Sequence, residues 1–174
     1  MTFYKIDDGV YYANDLPVKI CQEDIFFLKE SAQKTSRKRS RLCAHKDEFS
    51  PLHEMLIVQD KATYIRPHKH IGKSESFHIV EGEVDLILFE DNGELRDVVS
   101  LTDNRSKGYF YYRIDEPIFH SFHIRTDFLV FHETTNGPFV PEKTIFSEWS
   151  PVEGDQKGIS DFLKDLQKRC EAFR

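Results

Sequence analysis

The feature that most constrains the fold is a succession of short strand-like runs between residues 52 and 135. The runs alternate polar with apolar residues or are continuously apolar, and turn signals such as "DNGE" separate them. A turn of this type between apolar runs is a strong local sign of a β-hairpin. Many short strands at close spacing are typical of an antiparallel barrel or jelly roll. We therefore predict an all-β core over residues 52–135.

The rest of the chain is predicted to flank this core within a single domain, residues 1–174. The 15 Phe and 7 Tyr residues suffice for a sizeable core. Apolar spacing predicts an amphipathic helix over residues 22–34 and a C-terminal helix over residues 158–172. Aromatic pieces in the first 20 residues are expected to form edge strands. The Pro- and Gly-rich segment 136–155 is expected to cross the barrel as coil.

Charge and cysteine content narrow the class of protein. A net charge of -6 and a pI of about 5.7 argue against a nucleic-acid binder. The basic run at residues 34–41 is expected to be a solvated loop or helix end, with an anion-facing rim as the alternative. Cys21, Cys43 and Cys170 are far apart, so neither a disulfide framework nor a thiolate zinc site is expected.

The N-terminal residues resemble no signal peptide, and no apolar run is long enough to cross a bilayer. We therefore predict a soluble cytoplasmic protein that binds neither membranes nor nucleic acid. A homodimer built on the aromatic N-terminal strands is left open.

Histidines and a glutamate are concentrated in the stretch "RPHKHIGKSE", residues 66–75. Because a strand alternates its faces, Arg66, His68 and His70 would share one face with Tyr64. Glu75 opens the next strand after a four-residue connection, so its carboxylate can lie beside the two imidazoles. The alternative is a set of scattered surface histidines.

A third imidazole is available in "IFHSFHI", residues 118–124, where His120 and His123 point to opposite faces and one of them must face inward. Three imidazoles and one carboxylate suit a divalent transition metal, with Zn, Fe, Mn and Ni as the candidates. We therefore predict one such ion as the cofactor. Four protein ligands on an octahedral ion would leave two positions open for a reaction.

The segment "HKHIGKSESFHIVEG" resembles the first conserved motif of the cupin superfamily, and "DEPIFHSF" resembles the second. The resemblance implies a cupin jelly roll, a double-stranded β-helix barrel with the metal near its mouth. It also implies His68, His70, Glu75 and His120 as the metal ligands. The motifs differ here at two positions: Ala62 stands in place of a leading Gly, and Pro117 replaces a turn Gly.

A closer resemblance, over most of residues 20–155, is to the WbuC-type cupin metalloproteins. The segments that carry it are "RKRSRLCAH", "YIRPHKH", "KSESFHIVEGEVDLILF" and "FHETTNGPFVPEKTIFSEWSPVEGD". These proteins are often encoded with surface-polysaccharide and O-antigen genes, so the resemblance implies a role in polysaccharide biosynthesis. It supplies no established reaction.

Four residues near the predicted ligands are candidates for binding a substrate: Arg66, Lys73, Tyr64 and Tyr112. An arginine inside an apolar barrel needs an anionic partner, either the Glu133 carboxylate or a substrate carboxylate or phosphate. Lys73 could bind an anion or be a solvated loop residue, and the tyrosines could line the pocket or fill the core. His45 matches a position in the resembled family. The remaining histidines are expected to be structural or surface residues: His53, His78, His123 and His132.

Several functions fit this pattern. The first is a metal-dependent enzyme, an isomerase, epimerase or lyase, acting on a small sugar-like or carboxylated and therefore anionic substrate. With Fe(II), dioxygenase-type chemistry is an alternative. A non-enzymatic ligand-binding or sensor cupin is another, because fold does not fix function. A metal-free sugar-nucleotide isomerase, with histidines as acid and base, is disfavoured because it would not require Glu75.

Overall fold

The computed structural model describes residues 2–104 and 108–173 as two facing β-sheets with a helix on the outer side of each. The elements in chain order are β1 (Phe3–Asp7), β2 (Val10–Ala13), α1 (Gln22–Lys34), β3 (Arg39–Cys43), β4 (Leu52–Asp60), β5 (His68–His70), β6 (Glu75–Glu81), β7 (Glu83–Phe89), β8 (Leu95–Thr102), β9 (Tyr111–Ile114), β10 (Phe119–Ile124), β11 (Phe128–Asn136), a short 3-10 helix (Pro141–Lys143), β12 (Thr144–Phe146) and α2 (Gln156–Phe173).

The seven-stranded sheet has the order β1-β2-β3-β4-β11-β6-β9, and the five-stranded sheet has the order β12-β5-β10-β7-β8. Apart from the β7–β8 hairpin, successive strands from β4 to β12 lie in different sheets, as in a jelly roll. Side chains from the inner faces, including Phe77, Leu86, Phe122 and Phe131, form the main core between the sheets. The predicted all-β class with two flanking helices is confirmed.

Helix α1 covers the outer face of the seven-stranded sheet. Its buried residues Ile25, Leu28 and Ala32 share one helical stripe and pack on Leu42 and Val58. The Asp24 carboxylate accepts a hydrogen bond from the Cys21 amide at 2.9 Å, which satisfies one free donor of the first turn.

Helix α2 covers the outer face of the five-stranded sheet. Leu166 and Cys170 are buried there against Phe89 and Phe119. The apolar stripe of this helix therefore serves core packing, although Phe173 at its end is exposed. No helix in the described part of the chain is long and apolar enough to cross a membrane.

The prediction of a loop or helix end is right for the first half of the basic run at residues 34–41 and wrong for its second half. The second half enters β3, which lies between β2 and β4 and is parallel to β2. Ser40 and Leu42 are buried under α1, and the Ser40 hydroxyl donates to the Leu28 carbonyl at 2.6 Å. The arginines alternate with these residues, and their charge conceals the strand pattern in the sequence.

The segment 64–70 also differs from the single strand that alternation predicts. Only His68–His70 forms a strand, because Pro67 has no amide hydrogen to continue a ladder. The segment 136–155, called the tail below, is expected to be coil but contributes β12. This strand pairs with β5 in the register Thr144↔His70 and Phe146↔His68. The tail thus forms the edge of the sheet that carries two of the histidines.

Candidate metal centre

Three histidines converge on the inner face of the five-stranded sheet. His68 and His70 share one face of β5 because they are two residues apart, and His120 of β10 lies directly opposite His68. One nitrogen from each ring lies within 4.8 Å of the others. On β10, Phe122 points into the same core as His120, whereas Ser121 alternates to the other face.

The Nδ1 atom of each imidazole is held by a neighbouring group. The Nδ1–H of His68 donates to the Arg66 carbonyl and that of His120 to the Ile118 carbonyl, both at 2.9 Å. The Nδ1 of His70 lies 3.1 Å from the Thr144 hydroxyl. A carbonyl can only accept, so His68 and His120 carry a proton on Nδ1, and Nε2 is the nitrogen that each ring has left for a metal. This is the arrangement found behind metal-binding histidines.

Glu75 approaches the histidines from the opposite, seven-stranded sheet. One carboxylate oxygen lies 2.8 Å from Nε2 of His120 and the other 3.3 Å from Nε2 of His70. The side chain is buried at 5% exposure, and within the described residues its Oε1 has no well-directed hydrogen bond. The oxygen therefore remains available as a ligand. The structure thus brings together all four residues that the motif resemblance implies.

Burial and mutual charge shift the pKa values of these groups in opposite directions. Burial alone would raise the pKa of Glu75, but His120 and His70 lower it below its usual range. Burial opposes protonation of His120, yet the Glu75 carboxylate raises the pKa of His120. Burial and the neighbouring His120 lower the pKa of His68 to about 3, so its imidazole is neutral and can donate an electron pair.

Comparison with known proteins gives a fold and little more. Residues 20–101, slightly less than half of the chain, match a family described as a domain of unknown function, DUF6016. None of the curated proteins is detectably similar in sequence. Among solved structures, protein SO0799 from Shewanella oneidensis superposes with a TM-score of 0.53 at 9% identity, over 75% of this chain and 83% of that one.

The structure of CapF with the inhibitor 3-isopropenyl-tropolone has a TM-score of 0.52 at 18% identity, over 66% of this chain and 33% of CapF. This chain therefore spans about a third of CapF. An uncharacterized conserved protein from Klebsiella pneumoniae with a double-stranded beta-helix domain has a TM-score of 0.47 at 10% identity, over 63% of this chain and 84% of that one. The first two similarities are at low identity and show a shared fold alone. The chain has the cupin fold.

The histidine triad lies inside this cupin barrel and could hold a metal ion. Opposite ligands on one ion are separated by about 4 Å, twice a metal–nitrogen distance of about 2 Å. The 4.8 Å spread of the three ligand atoms is close to that span, so small ring movements would bring them onto a shared ion.

A row of inward residues crosses the seven-stranded sheet of the cupin barrel beside Glu75. The register aligns Met55, Glu133, Phe77 and Tyr112 on neighbouring strands. Within the described residues the buried Tyr112 hydroxyl has no hydrogen-bond partner. Burial and the Glu75 charge raise the pKa of the Glu133 carboxyl to about 7. Both residues therefore place polar groups on the wall that faces the triad.

Arg66 and Tyr64 precede the histidines in the chain and contact the tail. The Arg66 guanidinium donates to the Ser147 carbonyl at 2.6 Å and stacks 5.3 Å from the centre of the Phe146 ring. The Tyr64 hydroxyl donates to the Pro151 carbonyl at 2.9 Å. No described carboxylate lies within ion-pairing distance of Arg66, so the proposed ion pair with Glu133 is wrong. The guanidinium is instead satisfied by a carbonyl and a ring.

The remaining polar candidates lie around the same cupin barrel. Lys73 is half-buried in the β5–β6 connection, and its charge acts on Glu133. The rings of His45 and His53 stack 4.1 Å apart at an interplanar angle of 4°, away from the triad.

The roles of Glu133 and Thr144 were missed in the sequence. Glu133 could have been found in the sequence, because it is two residues from the apolar Phe131 and therefore shares its strand face. Thr144 could not, because nothing in the sequence predicts that β12 pairs with β5.

Proposed function

We propose that this chain is a metalloprotein that binds one divalent transition metal through His68, His70, His120 and Glu75. The single observation that carries the proposal is the orientation of the imidazoles. Each Nδ1 is held by a neighbouring oxygen, while the other ring edges converge within reach of a buried carboxylate. Three nitrogens and one oxygen suit Zn, Fe, Mn or Ni better than Mg or Ca.

We further propose that the centre serves an enzyme acting on a small sugar-like or carboxylated molecule. A metal bound at these residues would supply Lewis-acid polarisation of a substrate oxygen. Glu133 supports an enzyme over a passive binding protein, because a half-buried carboxyl with a pKa of about 7 can take or give a proton at neutral pH. A role in surface polysaccharide biosynthesis rests on the resemblance to WbuC-type cupins alone.

Metal content tests the first proposal. Protein purified without affinity to immobilised metal is analysed by elemental mass spectrometry, as wild type and as the His68→Ala/His70→Ala double variant. We expect close to one transition metal per wild-type chain and a loss of most of it in the variant. The control is His78→Ala, since His78 lies on the same sheet as Glu75 but alternates to the other face. Equal, low metal in all three proteins would refute the metal centre.

The enzymatic role needs a separate experiment. Metal-loaded protein is incubated with nucleotide sugars, sugar phosphates and 2-oxo acids, and the mixtures are followed by NMR. We expect conversion of at least one compound by wild type, and its loss in Glu133→Gln, which keeps the size but not the acidity of the side chain. Binding of a compound without conversion would favour the ligand-sensor alternative.

A further inference from the structure

Two arginines of β3 stand on the side of the sheet that faces the barrel interior. Strand alternation sets Arg39 and Arg41 in phase with Cys43, which belongs to the main core. Arg41 pairs in register with Ile57, another residue of that core. Ser40, between them, points outward to α1. The basic run therefore places two cations on the inward phase of β3, with Arg39 half-buried and Arg41 exposed.

Within the described residues Arg39 lacks the partner that its burial requires, and Arg41 beside it is exposed. Arg39 is half-buried, yet within residues 2–104 and 108–173 neither arginine has a carboxylate within ion-pairing distance or a side-chain hydrogen bond. Arg37 of the same run behaves differently, because its guanidinium pairs with Glu153. A cation removed from water without a counter-charge is costly, so Arg39 calls for an anion.

The charge of Glu133 links these arginines to the triad. Burial lowers the pKa of Arg39 to about 10, Arg37 adds to this effect, and the Glu153 and Glu133 charges oppose it. The pKa of Glu133 in turn is raised by burial and the charge of Glu75 and lowered by the charges of Lys73 and Arg41. Glu133 aligns with Phe77, so it is a diagonal neighbour of Glu75, at about 7–8 Å between Cα atoms. The arginines and the triad therefore face one interior.

We propose that Arg39 and Arg41 bind the anionic group, a carboxylate or a phosphate, of the small molecule that the metal centre holds. This assignment rests on the proposed metal function, because the metal centre is what would bind the other end of the ligand. Arginine suits the role because its planar fork matches both oxyanions in bidentate fashion. The same pair explains why the run carries arginines on the inward phase of β3. The expected anion contact therefore lies on β3 and not at Arg66, whose guanidinium already donates a hydrogen bond to the tail.

Anion binding tests the proposal directly. Inorganic phosphate and malonate are titrated separately into the full chain in chloride-free, low-salt buffer, with calorimetry and thermal shift as readouts. We expect wild type to bind at least one probe, and Arg39→Gln and Arg41→Gln to bind it about tenfold more weakly or worse, a loss of about 1.4 kcal/mol. The matched control is Arg113→Gln, on the exposed edge of the same sheet. Preference for phosphate or malonate distinguishes a phosphorylated from a carboxylated ligand.

The design separates this proposal from the metal proposal. The titrations are repeated with His68→Ala/His70→Ala, in which the β3 arginines are intact. Arginine-dependent anion binding by a wild type that holds no metal leaves this assignment standing and refutes the metal centre, whereas metal binding without arginine-dependent anion binding does the reverse. Anion binding retained by the double variant shows that the arginines, and not the metal, hold the probe. Failure of wild type to bind either probe overturns the proposal, as does equal binding by Arg41→Gln. Arg41 is exposed, so its variant is expected to fold even if Arg39→Gln does not.

Discussion

The Nδ1 atom of His70 lies 3.1 Å from the hydroxyl of Thr144, which follows it by 74 residues. The contact spans the β5–β12 pair, where the two residues stand opposite each other. It makes the tail part of the histidine site, because the hydroxyl fixes the plane of the ring and hence the direction of Nε2.

Thr144→Val should therefore weaken metal binding without removing a proposed ligand. Valine keeps the shape and the strand preference of threonine but cannot hydrogen-bond Nδ1. Loss of such a partner reduces metal affinity by about 10- to 100-fold, and we expect the lower end because a hydroxyl is uncharged. Affinity is measured by competition with a chromogenic chelator, and the Co(II) visible spectrum reports the geometry. Thr144→Ser should restore both, and a wild-type affinity for the valine variant would contradict the prediction.

The sequence predicts the convergence of the histidines and Glu75 because local rules set the face of each strand residue. Two histidines two residues apart share a strand face whatever the surrounding fold, and Glu75 and Phe77 share theirs by the same rule. The choice of His120 over His123 depended on a family resemblance, and the structure gives it a physical basis in the inward phase of Phe122.

The parts that the sequence does not predict depend on partners distant in the chain. Arg39–Cys43 looks like a charged loop, but it is a strand because β2 and β4 supply hydrogen bonds on both sides. Thr144–Phe146 is too short to show a period and becomes a strand only against β5. The partner of Arg66 was mistaken because Ser147 approaches from that same tail.

Arg66→Gln should release the tail from the barrel. The guanidinium holds the Ser147 carbonyl and covers Phe146, and a hydrogen bond from a charged group contributes about 1.5–3 kcal/mol. Because Arg66 is only half-buried, we expect the unfolding free energy to fall by about 1–2 kcal/mol. Amide exchange around residues 146–151 should accelerate while that of β4 stays unchanged. A matching effect from the exposed Arg113→Gln would show that charge alone, and not this contact, is responsible.

The stacked pair His45 and His53 should make stability depend on pH. Burial lowers the pKa of both rings below the ordinary value of about 6.5. A lowered folded-state pKa means that the unfolded chain binds more protons, so the contribution is complete above pH of about 6.5 and is lost as the pH falls below it. His45→Phe should reduce the slope of unfolding free energy against pH by about one proton. Urea unfolding at about pH 8 and pH 5 measures it.

The control for this slope is His78→Phe, on the outward phase of β6. His68 contributes a slope of the same sign, since its pKa is also lowered, so all proteins are compared after metal removal and only the difference between variants is interpreted. An unchanged slope in His45→Phe would mean that the stacked pair does not titrate between these pH values.

Gly82, the glycine that ends the first histidine motif, should tolerate no side chain. Its φ is +98°, and a Cβ would lie 2.6 Å from the Thr126 hydroxyl and still closer to the Phe128 carbonyl oxygen. Gly72→Ala is the matched control, because Gly72 also has a positive φ, +63°, but no atom within 4 Å of its added Cβ. Backbone strain alone costs about 1 kcal/mol, whereas strain combined with a backbone collision should cost about 3–4 kcal/mol. Denaturant unfolding of both variants separates the two contributions, and equal losses would show that the β6–β7 turn can move away from β11.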